Sequence, residues 1–186
     1  MDSGDIFQLV FLVILLLLSA FFSSAETALT TVNRIRMRTL AEDGDKRAER
    51  VLRITDDSGK MLSAILIGNN IVNLSASSIA TSLAIELWGS VGAGIATGIL
   101  TLLILIFGEI SPKTLATIYS ERIALTYSAA IELLIKILTP VIFLINKLSM
   151  GFLLLMRVDP KAGEQQLTEE ELRTIVDVGK ESGVLE

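Results

Sequence analysis

The sequence contains no cysteine and no histidine. Their absence excludes disulfide frameworks, thiolate and imidazole metal sites, cysteine nucleophiles and histidine-based triads. Any metal held by this chain must therefore be held by oxygen. The HExxH and GxSxG patterns are also missing, and with no histidine to act as a base the sequence does not read as an enzyme, so no catalytic residues are assigned. A formal net charge of −5 argues, though only weakly, against a nucleic-acid partner, because phosphate contacts need a basic surface. Aromatic residues make up only 5% of the chain, whereas hydrophobic residues make up 51% and are gathered into blocks rather than spread at the spacing of a soluble core. That pattern is the mark of a membrane protein.

Three stretches have the roughly 20 apolar residues that a helix needs to cross a bilayer. The first span, residues 6–32, opens with "IFQLVFLVILLLLSAFF" from Ile6 to Phe22. A signal peptide is the competing reading, with "SSA" as its cleavage site, but the residues in front are "MDSGD", acidic where a signal sequence is basic. The second span, 61–87, has a polar centre. The third, 91–108, begins with small residues suited to close helix contact and then becomes fully apolar. The link "WGSVGA" is short enough to make the second and third spans an antiparallel pair, with Trp88 at an interface.

Charge sets the expected orientation. Segment 33–60 holds eight Lys or Arg, whereas the first five residues and the link after the second span hold none. By the positive-inside rule this segment is a cytoplasmic loop, read as a helical hairpin broken at "EDGD". The N-terminus is then outside, and Glu109 emerges at the cytoplasmic end of the third span. The apolar region Ile123 to Val158 is interrupted by Glu132, Lys136, Pro140 and Lys147, and Glu132 and Lys136 have the i,i+4 spacing of a helical ion pair. Two readings stand for it: a fourth span, or a pair of amphipathic helices at the cytoplasmic interface bent at Pro140. The tail is soluble in character, with Thr168 and Glu171 in capping-box spacing ahead of "LRTIV".

The stretch "GEISPKTLA", 108–116, sets a carboxylate at the end of an apolar run with a proline close behind. In an α-helix the amide of residue 112 would donate to the Gly108 carbonyl, but Pro112 has no N–H. An unsatisfied carbonyl in lipid costs several kcal/mol, so irregular backbone is tolerated there only in a cavity or within protein. Gly108, without a side chain, leaves room to approach that oxygen, and Glu109 stands beside it. A free carbonyl next to a carboxylate is half of a hard-cation site. The bland alternative is an i,i+4 salt bridge between Glu109 and Lys113 at the membrane edge.

The second span adds Asn69, Asn70, Asn73 and Ser77, which share an arc of about 100° on one helix face. These amides are either interhelical glue, worth about 0.6 to 2 kcal/mol per contact, or carbonyl donors to a shared ion. In the first span Ser23 and Glu26 have capping-box spacing, which predicts a helix that restarts there and an unwound stretch from Phe22 to Ser24. Hydroxyl, amide, main-chain carbonyl and one carboxylate suit Mg²⁺, Ca²⁺ or Na⁺ and disfavour zinc, copper and iron.

"FFSSAETAL", "IGNNIVN", "GEISPKTLA" and "LTEEELRTIVDVGKESGVLE", in this order, resemble the transmembrane domain of the CorC and cyclin M family of magnesium transporters, and the likeness covers essentially the whole chain. It implies an all-α membrane protein of the inner or plasma membrane, a homodimer with three transmembrane helices per subunit, a cytoplasmic helical hairpin and an amphipathic juxtamembrane belt over 113–158. Residues 1–158 are then the transmembrane domain, and 159–186 begin a linker to a cytosolic CBS-pair module. It also implies Mg²⁺ export by alternating access, driven by Na⁺ entry, with a dehydrated Mg²⁺ held by Ser23, Asn70, Asn73, the Gly108 carbonyl and Glu109. Asn69 and Ser24 are adjacent alternatives. The rival functions are a passive divalent-cation channel and a membrane Mg²⁺ sensor or scaffold that moves no ions.

Overall fold

In hydrocarbon each backbone amide and carbonyl must find its partner within the protein, and a helix does this within one segment. The computed structural model describes residues 3–156, and these are helical apart from short turns. The helices are α1 (Ser3–Thr31), α2 (Arg34–Glu42), α3 (Lys46–Asp56), α4 (Ser58–Trp88), α5 (Ser90–Leu103), a π-helical stretch (Ile104–Ile110), α6 (Ser111–Ile118) and α7 (Ser120–Leu155). The chain divides into two compact units, Met1–Ile142 and Phe143–Glu186. The candidate site lies wholly in the first; of the second, the described part is the end of α7, where Phe143, Leu148 and Phe152 are exposed.

Four helical segments are long and apolar enough to cross a membrane: Gly4–Thr31, Ser58–Trp88, Val91–Ile118 and Ser120–Leu153. The first three overlay the expected spans, but the third does not stop at residue 108. It continues through the π-helical stretch and α6, because Pro112 enters near the start of α6, where a missing N–H is tolerated. The region after residue 120 is also not two helices. Pro140 sits inside the single helix α7, which by length and composition qualifies as a fourth candidate span. The capping box at Thr168 and the linker 159–186 lie outside the described residues.

The basic segment folds as two short helices, each begun by a side-chain cap. Asn33 accepts hydrogen bonds from the amides of Ile35 and Arg36 at 3.0 and 3.1 Å, and Asp45 accepts from Arg47 N–H at 2.8 Å. Between them Gly44 turns the chain at φ 91°, a left-handed conformation that glycine adopts without strain. Met37, Ala48 and Val51 are fully buried in this layer. Salt bridges from Arg36 to Glu121 (2.6 Å) and from Arg53 to Glu132 (3.0 Å) tie both helices to the first part of α7. Glu132 also meets Lys136 at 3.8 Å, the i,i+4 pair foreseen in the sequence.

Helix α1 is the hub. It packs against α4 on one side and against the π-helical stretch and α6 on the other. Its buried Phe22, Ala25, Ala28 and Leu29 share a core with Met61, Ile65 and Val72 of α4 and Ala116 of α6. Contacts pair Phe22 with Gly68, and one cavity is lined by both Leu9 and Ala84. Rising numbers on α4 thus meet falling numbers on α1, so the two helices are antiparallel. Small residues also bring α5 close to α4: a Cβ on Gly92 would stand 2.5 Å from the Ala84 carbonyl oxygen.

Candidate functional site

Helix α1 runs unbroken through Ser23, so the restart expected there does not occur. The hydroxyl of Ser24 turns back onto the carbonyls of Ala20 (2.7 Å) and Phe21 (3.0 Å), and that of Ser23 caps nothing. Glu26, the expected partner of Ser23 in the cap, instead meets Lys113 of α6 at 3.4 Å. That contact also removes the alternative in which Lys113 neutralises Glu109. Among the described residues the half-buried Glu109 has neither ion pair nor hydrogen bond.

Two helix faces meet at the centre of the site. Ser19 of α1 is fully buried and donates its hydroxyl to Asn69 Oδ1 of α4 at 3.3 Å, and Asn73 Nδ2 donates to the same oxygen at 3.5 Å. Ser19 also touches the third element, because a Cβ built on the buried Gly108 would lie 2.8 Å from its Oγ. The glycine is required by this close approach. One hydroxyl thus links α1, α4 and the π-helical stretch.

Two buried oxygens flank that link without a partner of their own, Ser23 Oγ and Asn73 Oδ1. Because α1 and α4 are antiparallel, Ser23 lies one turn from Ser19 in one direction along the seam, and Asn73 lies one turn from Asn69 in the other. Leaving such an acceptor dry costs about 1–3 kcal/mol.

The backbone at Gly108 has the disturbed register that Pro112 dictates. Ser111 N–H donates to the Ile106 carbonyl, five residues back rather than four. The π register cannot advance another step, since the next donor would be Pro112. Single π turns of this kind occur often at functional sites. Asn70 stands apart: it is exposed on α4, and its Nδ2 donates to the Leu66 carbonyl at 2.9 Å. The structure therefore gathers Ser23, Asn73 and Gly108 around the α1 seam, sets Glu109 at its edge and leaves Asn70 on the surface of the chain. Ser24 faces its own backbone, and Asn69 is at the centre.

Ser19 went unnoticed in the sequence, although it lies four residues before Ser23 and so on the same helix face. No group of three or more acidic side chains that could hold a metal occurs among the described residues. The donors here are neutral oxygens with one carboxylate close by, a set suited to a hard cation held weakly.

The sequence matches the family of cyclin M transmembrane N-terminal domains over residues 10–186. The chain belongs to this family. Among its relatives are a UPF0053 protein of Haemophilus influenzae, 39% identical over 98% of this chain and 44% of the relative, and the UPF0053 inner membrane protein YfjD of Escherichia coli, 38% identical over 86% and 37%. A polyamine export protein of Haemophilus influenzae is 27% identical over 94% of this chain and 43% of its own length. This cyclin M domain spans less than half the length of these relatives. Within it, the four ordered motifs read from the sequence are the features on which membership was expected.

Proposed function

We propose that this cyclin M domain is the membrane part of a transporter that exports Mg²⁺ in exchange for Na⁺. The observation that carries this reading is the pair of buried, unpartnered oxygens, Ser23 Oγ and Asn73 Oδ1, on a seam bordered by Gly108 and the unpaired Glu109. Mg²⁺ is a hard cation that sheds its waters reluctantly. A site with one carboxylate and several neutral oxygens accepts it after partial dehydration and releases it again, as transport demands. Asn70 would join the ligands only if α4 turned toward the seam, a small motion of the sort that alternates access.

In this reading the basic helices α2 and α3 face the cytoplasm of a cell that holds the protein in its plasma or inner membrane. The first part of α7 is ion-paired to those helices through Glu121 and Glu132, and it shares their depth outside the hydrocarbon. This favours three spans and an interfacial belt over a fourth span. A homodimer and a cytosolic CBS-pair partner complete the proposal on the strength of the family.

The relative named as a polyamine export protein gives a second reading, in which Glu109 receives an ammonium group. Flux into proteoliposomes separates the readings, with Mg²⁺ or putrescine as the cargo and Na⁺ imposed on either side. The expected result is Na⁺-dependent Mg²⁺ flux that Glu109→Gln abolishes. Intact Mg²⁺ flux in that variant removes Glu109 from the site, putrescine flux without Mg²⁺ flux selects the second reading, and saturating flux indifferent to Na⁺ selects a channel. Mg²⁺ binding with no flux of either cargo leaves a sensor.

A further inference from the structure

Glu26 and Lys113 form an ion pair at the edge of the seam to which the transport reading gives no role. Glu26 lies one turn past Ser23 on α1, and its Oε2 stands 3.4 Å from Lys113 Nζ on α6. Lys113 in turn lies four residues after Glu109, which has no ion pair or hydrogen bond among the described residues. Two carboxylates and one ammonium thus share this edge, so one carboxylate is left over. The structure leaves Glu109.

Local spacing does not set that outcome. A glutamate four residues before a lysine is the favoured order for an ion pair along one helix, and the same order does pair in α7, where Glu132 meets Lys136 at 3.8 Å. A carboxylate on another helix overrides it. In α3, Arg53 passes over Glu49, four residues back, for Glu132 of α7 at 3.0 Å, and Lys113 passes over Glu109 for Glu26 in the same way. Packing keeps Glu26 within reach: Ala25 and Ala28 of α1 and Ala116 of α6 are fully buried in one core, and Pro112 beside Lys113 is buried as well.

The consequence falls on the candidate ion site. An ammonium resting on Glu109 must be displaced before a cation can use that carboxylate, so apparent affinity scales with the fraction of molecules in which the carboxylate is free. We propose that Glu26 is a positioning residue that holds Lys113 aside and so keeps Glu109 open to the cation. The proposal rests on the transport reading for the ion and for Glu109 as its ligand. Glu26 then acts without touching the ion, and Lys113 is a tethered competitor for the site.

Two measurements on the detergent-solubilised protein test this. A water-soluble carbodiimide joins a carboxylate and an ammonium in contact through an amide, the reagent taking up the water, and peptide mass spectrometry then shows which carboxylate Lys113 has met. The parent should give a Glu26–Lys113 link, and Glu26→Gln a Glu109–Lys113 link. Calorimetry with MgCl₂ should show about tenfold lower affinity in Glu26→Gln, the loss expected if Lys113 covers Glu109 in about nine molecules of ten. Glu26→Gln/Lys113→Gln should return to the parent value, a recovery that damage to the fold would not permit. Unchanged affinity in Glu26→Gln overturns the proposal, as does a loss that the double variant fails to recover. A recovered loss without the Glu109–Lys113 link is a field effect of the missing charge and overturns it too. Parental affinity in Glu109→Gln overturns the transport reading instead, and the links, which need no Mg²⁺, still decide whether Glu26 keeps Lys113 off Glu109.

Discussion

The two halves of α1 obey opposite rules. From Ile6 to Leu18 nearly every large side chain is exposed, including Phe7, Val10, Val13 and Leu17, whereas Ser19, Phe22, Ser23, Ser24, Ala25, Ala28 and Leu29 are buried. In water the arrangement would be the reverse. Hydrocarbon is as apolar as leucine, so there is no gain in hiding large aliphatic groups from it, and helices associate where small residues let backbones approach and polar groups find partners. The small, polar half of α1 is therefore the half that other helices wrap, and there the candidate ion site is found. The sequence of one helix thus marks both the lipid face and the functional face.

The largest expected effect comes from filling the close contact beside the site. A Cβ on Gly68 would meet Phe22 Cζ at 2.7 Å and Cε1 at 2.9 Å, whereas one on Gly98 meets nothing within 4 Å. Gly68→Ala should cost about 1–3 kcal/mol through overpacking. Gly98→Ala, in the interior of the exposed helix α5, should gain up to about 1 kcal/mol from helix propensity. Thermal unfolding followed by the single Trp88 in detergent measures both. If the two substitutions act alike, the wrapped and lipid-facing regions are not packed as differently as described. Recovery of Gly68→Ala by Phe22→Leu would locate the strain in the ring.

A smaller effect, with the sign reversed, is expected at the residue of α1 that follows Phe22. Ser23→Ala removes a buried hydroxyl that has no partner, so the folded protein should gain about 1 kcal/mol. The same change should weaken Mg²⁺ binding measured by calorimetry, since it deletes one of the two free oxygens. Stability and ligand affinity moving in opposite directions is the signature of an oxygen kept for an ion. A loss of stability with unchanged affinity would mark Ser23 as an ordinary packing residue.

Much of this was legible beforehand because hydrocarbon imposes simple rules on a chain. Block length located α1 and α4, the break at "EDGD" located the α2–α3 pair, and the small residues that open the third span foretold the approach of Gly92 to α4. Pro112 announced a break in register at Gly108. What stayed hidden depends on competition between neighbours. Ser23 and Glu26 spell a capping box, yet Lys113, 87 residues from Glu26 in the chain, claims the glutamate and the helix continues. Pro140 and three charges suggested two helices where there is one, because a proline removes only one N–H and the remaining turns stay paired. Ser19 carries no motif at all. Its importance comes from Gly108 and Asn69, which reach it from helices far along the sequence.

The charged layer offers a contrast on the aqueous side. Arg53 is well exposed and Glu132 is less so, and their contact at 3.0 Å joins α3 to α7. Arg53→Ala should cost only about 0.2–1 kcal/mol, the range of exposed pairs. Added salt should shrink the difference between variant and parent. A larger, salt-independent loss would mean that the pair orders α7 rather than merely decorating its surface.

The smallest effect belongs to the turn between α2 and α3. Arg47 donates from Nη2 to Asp45 Oδ2 at 2.8 Å and from Nε to Oδ1 at 3.1 Å, and these bonds, with the backbone N–H of Arg47, hold the Asp45 carboxyl at about 2, below its usual 3.8. A carboxyl with a lowered folded-state value stabilises the fold above its unfolded value. Its contribution is lost as the pH falls from near 3.8 toward 2. Asp45→Asn keeps a side-chain acceptor for the helix start but removes the charge. The parent and the variant should therefore differ most in thermal midpoint near neutral pH and converge as the buffer is taken down through the acid range. A gap that persists undiminished in acid would show that the turn depends on the shape of its cap and not on the ionised pair.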